Sequence, residues 1–145
     1  MITKIIIKTN PPLMSDIREV SHEEIILKEG YIKFSRKYEL NCNDDLVNVE
    51  GYHSNYEWIY ESNSSKSIKL FNNIVTSLTK EINNHQDVEH INDVGGFDII
   101  MFNEDTKEIV ESYDYNFRYN AFNESMKLLK KLFPSVEDLP RILRK

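Results

Sequence analysis

Between residues 85 and 90 the chain reads HQDVEH, which puts His85, Asp87, Glu89 and His90 within six positions. Imidazole combined with carboxylate is a donor set that divalent transition metals accept. The spacing fits no zinc motif, however, and two histidines five residues apart do not share a helical face. A solvated loop at a helix end accounts for the stretch better. These four residues are the weak metal candidates, and no metal or cofactor is expected.

Carboxylates also stand in adjacent pairs, Asp44-Asp45 and Glu104-Asp105. Acid–base work needs two groups whose surroundings push their proton affinities apart. Neighbouring side chains on a hydrated turn lack the desolvation that does this, so turn chemistry explains both pairs. Gly95-Gly96 would let a backbone approach a phosphate, but a strand follows it where a phosphate cradle needs a helix N-terminus. The single cysteine, Cys42, excludes an intramolecular disulfide and a thiolate zinc cage. Neither a Ser-His-Asp grouping, nor a dinucleotide fingerprint, nor a Walker lysine is found, so no catalytic residue is assigned.

The stretch GYHSNYEWIYES (51–62) holds the only tryptophan, three of the eight tyrosines and His53. A base-stacking platform would come with a positive groove. Tyr38 to Ser65 has six carboxylates and no Lys or Arg. Rings at every second position instead describe a half-buried strand. Tyr56, Trp58 and Tyr60 are then expected in the core, with Glu57, Ile59 and Glu61 on the other side.

The elements that must position these residues follow from periodicity. TKIIIK (3–8) reads as a strand, and residues 23–40 as a hairpin turning at Glu29-Gly30. Its second arm sets Ile32, Phe34, Tyr38 and Leu40 on one face, interrupted by Arg36. After the aromatic strand the period changes. Ile68, Phe71, Ile74, Val75, Leu78 and Ile82 mark a helix of about 17 residues capped by Ser64 or Ser65. FDIIMF (97–102) and KEIVESYDY (107–115) form a second hairpin, and Phe122, Met126, Leu129 and Phe133 stripe a last helix ending at Pro134. The order β-ββ-β-α-ββ-α implies one α+β domain over residues 1–145. Its antiparallel sheet of five or six strands would carry both helices on one face, leaving the other face solvated and acidic.

Charge is uneven. Residues 126–145 hold six cations against two carboxylates, so the other 125 residues carry 12 cations and 22 carboxylates, a net −10. Asp87 to Asp114 has nine carboxylates and only Lys107. That balance disfavours direct nucleic-acid binding. The longest apolar run is four residues, Ile99 to Phe102, and the start MITKIIIKTN lacks the apolar core of a secretion signal, so a cytoplasmic protein without membrane contact is expected.

The favoured reading is a small acidic protein-binding domain, of inhibitor or immunity type, that occludes the basic surface of a nuclease, toxin or other nucleic-acid-acting enzyme. Its partner is a basic protein. One patch would comprise Asp44, Asp45, Glu50, Glu57 and Glu61 with Tyr52 as anchor. A second would comprise Asp87, Glu89, Glu104, Asp105, Glu108, Glu111 and Asp114 with Tyr113 as anchor. Two alternatives belong to other classes. One is a small-ligand or metal-binding enzyme domain with a pocket between sheet and helices, using residues such as His53, Tyr60 and Arg118. The other is an assembly module pairing through a sheet edge.

Overall fold

A computed structural model describes residues 1–10, 19–40, 54–84, 96–103, 108–114, 122–133 and 140–143. Its elements are β1 (Ile2–Asn10), β2 (Glu19–Lys28), β3 (Tyr31–Leu40), β4 (Tyr56–Glu61), α1 (Ser65–Asn84), β5 (Gly96–Asn103), β6 (Glu108–Asp114) and α2 (Asn123–Leu132), with a 3-10 turn at Arg141–Leu143. The strands form one six-stranded sheet ordered β4-β3-β2-β1-β5-β6, and every neighbouring pair is antiparallel. This is the α+β architecture that the hydrophobic periods imply.

Cross-strand register turns the alternation of each strand into rows. Leu27, Ile5 and Met101 continue from Ile32, while Ile25, Ile7 and Ile99 continue from Phe34. Both rows are buried, and they meet Phe71, Ile74 and Leu78 of α1 and Met126, Leu129 and Phe133 beside them. The helices therefore share one face of the sheet. Fixed registers of this kind follow from a period of two: a one-residue slip would expose the whole isoleucine set.

Local chemistry sets the ends. The β2–β3 turn has two central residues, Glu29 and Gly30, and Gly30 adopts φ +73. That left-handed conformation costs other residues strain. Ser64 caps α1 by accepting the Ser67 N–H at 3.2 Å. At the start of α2, Phe122 offers no side-chain acceptor. A residue of α1 supplies it instead: Glu81 Oε1 accepts the Ser125 N–H at 2.9 Å.

Arg36, which breaks the apolar alternation of β3, is 2% exposed yet stays on the covered face. Its register partner Glu23 is buried too, with Arg36 Nε 3.4 Å from Glu23 Oε1. A guanidinium this deep is tolerable only when paired and hydrogen-bonded.

On the uncovered face both signs of charge occur among the described side chains. Its described side chains include Lys4, Lys8, Lys28, Lys33 and Lys37 as well as Glu24, Glu39, Glu57, Glu61 and Asp98. Among these described residues five lysines, all on β1, β2 and β3, match five carboxylates, a pattern that counting along the chain does not reveal. Lys8–Glu24 and Lys33–Glu57 pair across strands at 3.7 and 3.6 Å. Among the described residues no helix is long and apolar enough to cross a membrane.

Candidate functional site

β4 is a short edge strand fixed at both ends. Before it, Asn55 Oδ1 accepts the Tyr38 N–H at 2.7 Å and so takes over where the β3–β4 ladder stops. After it, the Ser62 N–H donates to Gly30 O at 2.9 Å. These two bonds also settle which way the backbone of β4 points. Gly30, Tyr38 and the even residues between them aim their amides toward β4, and Ser62 and the even residues of β4 aim back. Successive residues alternate sides. The N–H and C=O groups of Glu57, Ile59 and Glu61 therefore point away from β3, and among the described residues no strand pairs with them.

The side chains of β4 only partly match the expected core strand. Trp58 packs into the core, with its ring 5.2 Å from Phe133 and 5.8 Å from Phe34. Tyr56 and Tyr60 are 37% and 57% exposed, and Ile59 on the opposite face is 54% exposed. With Met1 these are the exposed large hydrophobics among the described residues. The inward face of β4 lies at the margin of what two helices can cover, so its rings are half wet. Alternation reports which face a side chain takes; it does not report how far the covering layer extends.

The aromatic side is held firmly. Tyr56 accepts a hydrogen bond from Arg36 Nη1 at 2.5 Å, and the guanidinium lies over the Phe34 and Tyr56 rings at 5.4 and 5.3 Å. Glu23, whose N–H donates to Thr9 Oγ1 at 3.0 Å, fixes the arginine from the next strand. Tyr56 is thereby oriented from within, although its ring faces solvent. Tyr60 borders a small cavity with Ile32, Phe71 and Leu132. Its volume of about 20 Å³ admits one water, far below the roughly 300–1,000 Å³ of small-molecule sites.

The described members of the two acidic tracts lie on opposite edge strands. Glu57 and Glu61 are exposed on β4, whereas Glu108, Glu111, Tyr113 and Asp114 belong to β6 at the opposite edge. Five inter-strand spacings intervene, or about 24 Å. Register sets Glu111 opposite Ile99, Tyr113 opposite Phe97 and Glu108 opposite Phe102. Asp44, Asp45, Glu50, Tyr52, Asp87, Glu89, Glu104 and Asp105 lie outside the described residues, as do His53, His85, His90 and Arg118. Among the described residues no group of three His, Cys, Asp or Glu is arranged to hold a metal.

One other polar cluster resembles a nucleophile with its base. The Ser125 hydroxyl donates to Glu81 Oε1 at 2.6 Å and lies 2.8 Å from Ser77 Oγ. Ser125 is fully buried, however, and the same carboxylate oxygen also receives the Ser125 N–H and the Ser77 hydroxyl. An acceptor saturated by a helix start, around a serine no substrate reaches, is a cap.

Sequence reasoning expected Tyr56 and Tyr60 in the core, whereas both are exposed, and placed Ile59 on the opposite side, where it is found. A usable signal was present: β4 leads into a helix rather than a hairpin return, and carries carboxylates at 57 and 61, on either side of Ile59 on one face. Both features mark an edge strand. Comparisons with protein-family models, with curated proteins and with solved structures return no match to this chain.

Proposed function

We propose that the protein is a small acidic protein-binding domain that docks on a basic partner along the β4 edge. It would act as an inhibitor or immunity-type protein, covering the basic surface of a nuclease, toxin or other nucleic-acid-acting enzyme. One observation carries this reading: apart from Met1, the exposed large hydrophobics among the described residues are Tyr56, Ile59 and Tyr60, all on one edge strand whose outward backbone groups pair with no described strand. Exposed apolar groups collected beside free hydrogen-bonding groups suit the addition of a partner strand or loop. Glu57 and Glu61 give the same strip a negative potential, which speeds encounter with a cationic surface. The cavity beside Tyr60 has room for a single water, and the His53 and Arg118 of the pocket alternative lie outside the described residues.

Site-specific photo-crosslinking in the source cells tests the reading. A benzoylphenylalanine at position 60 should give a discrete adduct with a basic protein, and one at the exposed Asn72 of α1 should not. Adducts at 72 alone, at both positions equally, or at neither refute it.

A further inference from the structure

Resting on the β4 docking reading, we infer the chemistry of the segment that docks: an extended strand in which a cation, an apolar residue and a second cation occupy alternate positions, opposite Glu57, Ile59 and Glu61. The three residues whose amides and carbonyls point outward are the same three whose side chains share the uncovered face. A strand added to this edge would therefore bond to Glu57, Ile59 and Glu61 and set its own side chains beside theirs. Glu57 and Glu61 stand four residues apart, about 13 Å along the strand, with the half-exposed Ile59 between them. Directly opposed residues in adjacent strands interact favourably when apolar or oppositely charged, and unfavourably when charges are alike. Lys or Arg, x, Ile or Val, x, Lys or Arg is the pattern that satisfies all three positions.

Neighbouring cations leave room for it. Lys33 reaches only one oxygen of Glu57, at 3.6 Å, and that glutamate side chain is 61% exposed. Among the described residues no cation lies within ion-pair distance of Glu61. A second copy of this chain suits the edge less well. Antiparallel self-pairing centred on Ile59 opposes each Glu57 to the other copy's Glu61. Centring on Trp58 instead opposes each Ile59 to a glutamate. A cationic strand meets neither conflict.

Trp58, the only tryptophan, sits on the edge strand and reports strand addition by its emission. The probe is a blocked heptapeptide, Thr-Lys-Thr-Ile-Thr-Lys-Thr, titrated to millimolar concentration beside the same peptide with both lysines replaced by glutamate. The lysine peptide should shift Trp58 emission saturably and bind at least about fivefold more tightly than the glutamate peptide. Glu57→Lys with Glu61→Lys should reverse that order. Ile59→Pro, which removes an outward N–H and no bond to β3, should bind neither peptide and keep the wild-type circular dichroism.

Equal binding of the two peptides, no binding of the lysine peptide, or an order unchanged by charge reversal overturns the inference. So does a concentration-dependent dimer that Ile59→Pro dissolves, which would assign the edge to a second copy. If crosslinking at position 60 captures a basic protein while the lysine peptide fails, the docking reading stands and the alternating pattern falls.

Discussion

Removing the Glu81 carboxylate tests whether α2 depends on a cap supplied by another helix. In Glu81→Ala the Ser125 N–H loses its 2.9 Å acceptor and its hydroxyl loses the 2.6 Å one, at a residue that is fully buried. Loss of an N-terminal cap costs about 0.5–2 kcal/mol, and a buried donor left without a partner about 1–3 kcal/mol. Ser77 Oγ remains 2.8 Å from the Ser125 hydroxyl, so the terms do not add fully, and about 2–3 kcal/mol is the expected loss. Glu81→Gln keeps a carbonyl acceptor at Oε1 and places an amide at Oε2, a buried atom with no partner. It should cost about 1 kcal/mol through the lost charge and the unsatisfied amide. Urea unfolding followed by Trp58 emission gives both numbers, with a lower midpoint and an unchanged slope as the sign of lost stability. The Glu81→Ala and Ser125→Ala changes should be non-additive, because they remove one shared interaction. A loss under 0.5 kcal/mol for Glu81→Ala, or additivity of the pair, would refute the interhelical cap.

Three further outcomes follow from the same geometry. Gly30→Ala should cost about 2 kcal/mol in thermal or urea unfolding, because the position holds φ +73 and a Cβ there would lie 2.6 Å from Ser62 O. Arg36→Met should cost about 3 kcal/mol by the same measurement, since it takes the guanidinium from beside the buried Glu23 carboxylate; Arg36→Met with Glu23→Leu should recover much of that loss. Lys33→Ala should change stability by less than about 0.5 kcal/mol, because its pair with Glu57 is largely exposed.

What the sequence conveyed and what it withheld divide along a physical line. Strand and helix identities were legible because each is a local period: Ile32 and Phe34 against Lys33 and Ser35 in β3, or Phe71, Ile74 and Leu78 along α1. The Glu29-Gly30 turn and the Ser64 cap were legible because the required residue types are few. Arg36 was not, since its partner Glu23 is brought opposite only by register. The Glu81 cap joins residues 44 apart, so no window on the sequence contains it. The cross-strand pairs Lys8–Glu24 and Lys33–Glu57 were hidden for the same reason: lysines on one strand are neighbours of carboxylates on another.

The placement of β4 at an edge also determines how strongly its two glutamates discriminate. Each directly opposed pair contributes about 0.2–1 kcal/mol, favourable or unfavourable according to sign. A cationic strand makes two favourable pairs, and self-pairing centred on Ile59 makes two glutamate–glutamate oppositions. The two cases then differ by about 1–4 kcal/mol, or from about fivefold to nearly three decades in affinity. Lys33 lies on the neighbouring strand and offsets part of the Glu57 charge for either occupant. Glu61, without such a neighbour among the described residues, therefore carries the larger share of the discrimination. A strip with exposed Tyr56, Ile59 and Tyr60 would otherwise pair with copies of itself, so the same carboxylates that attract a basic segment also keep the edge open for it.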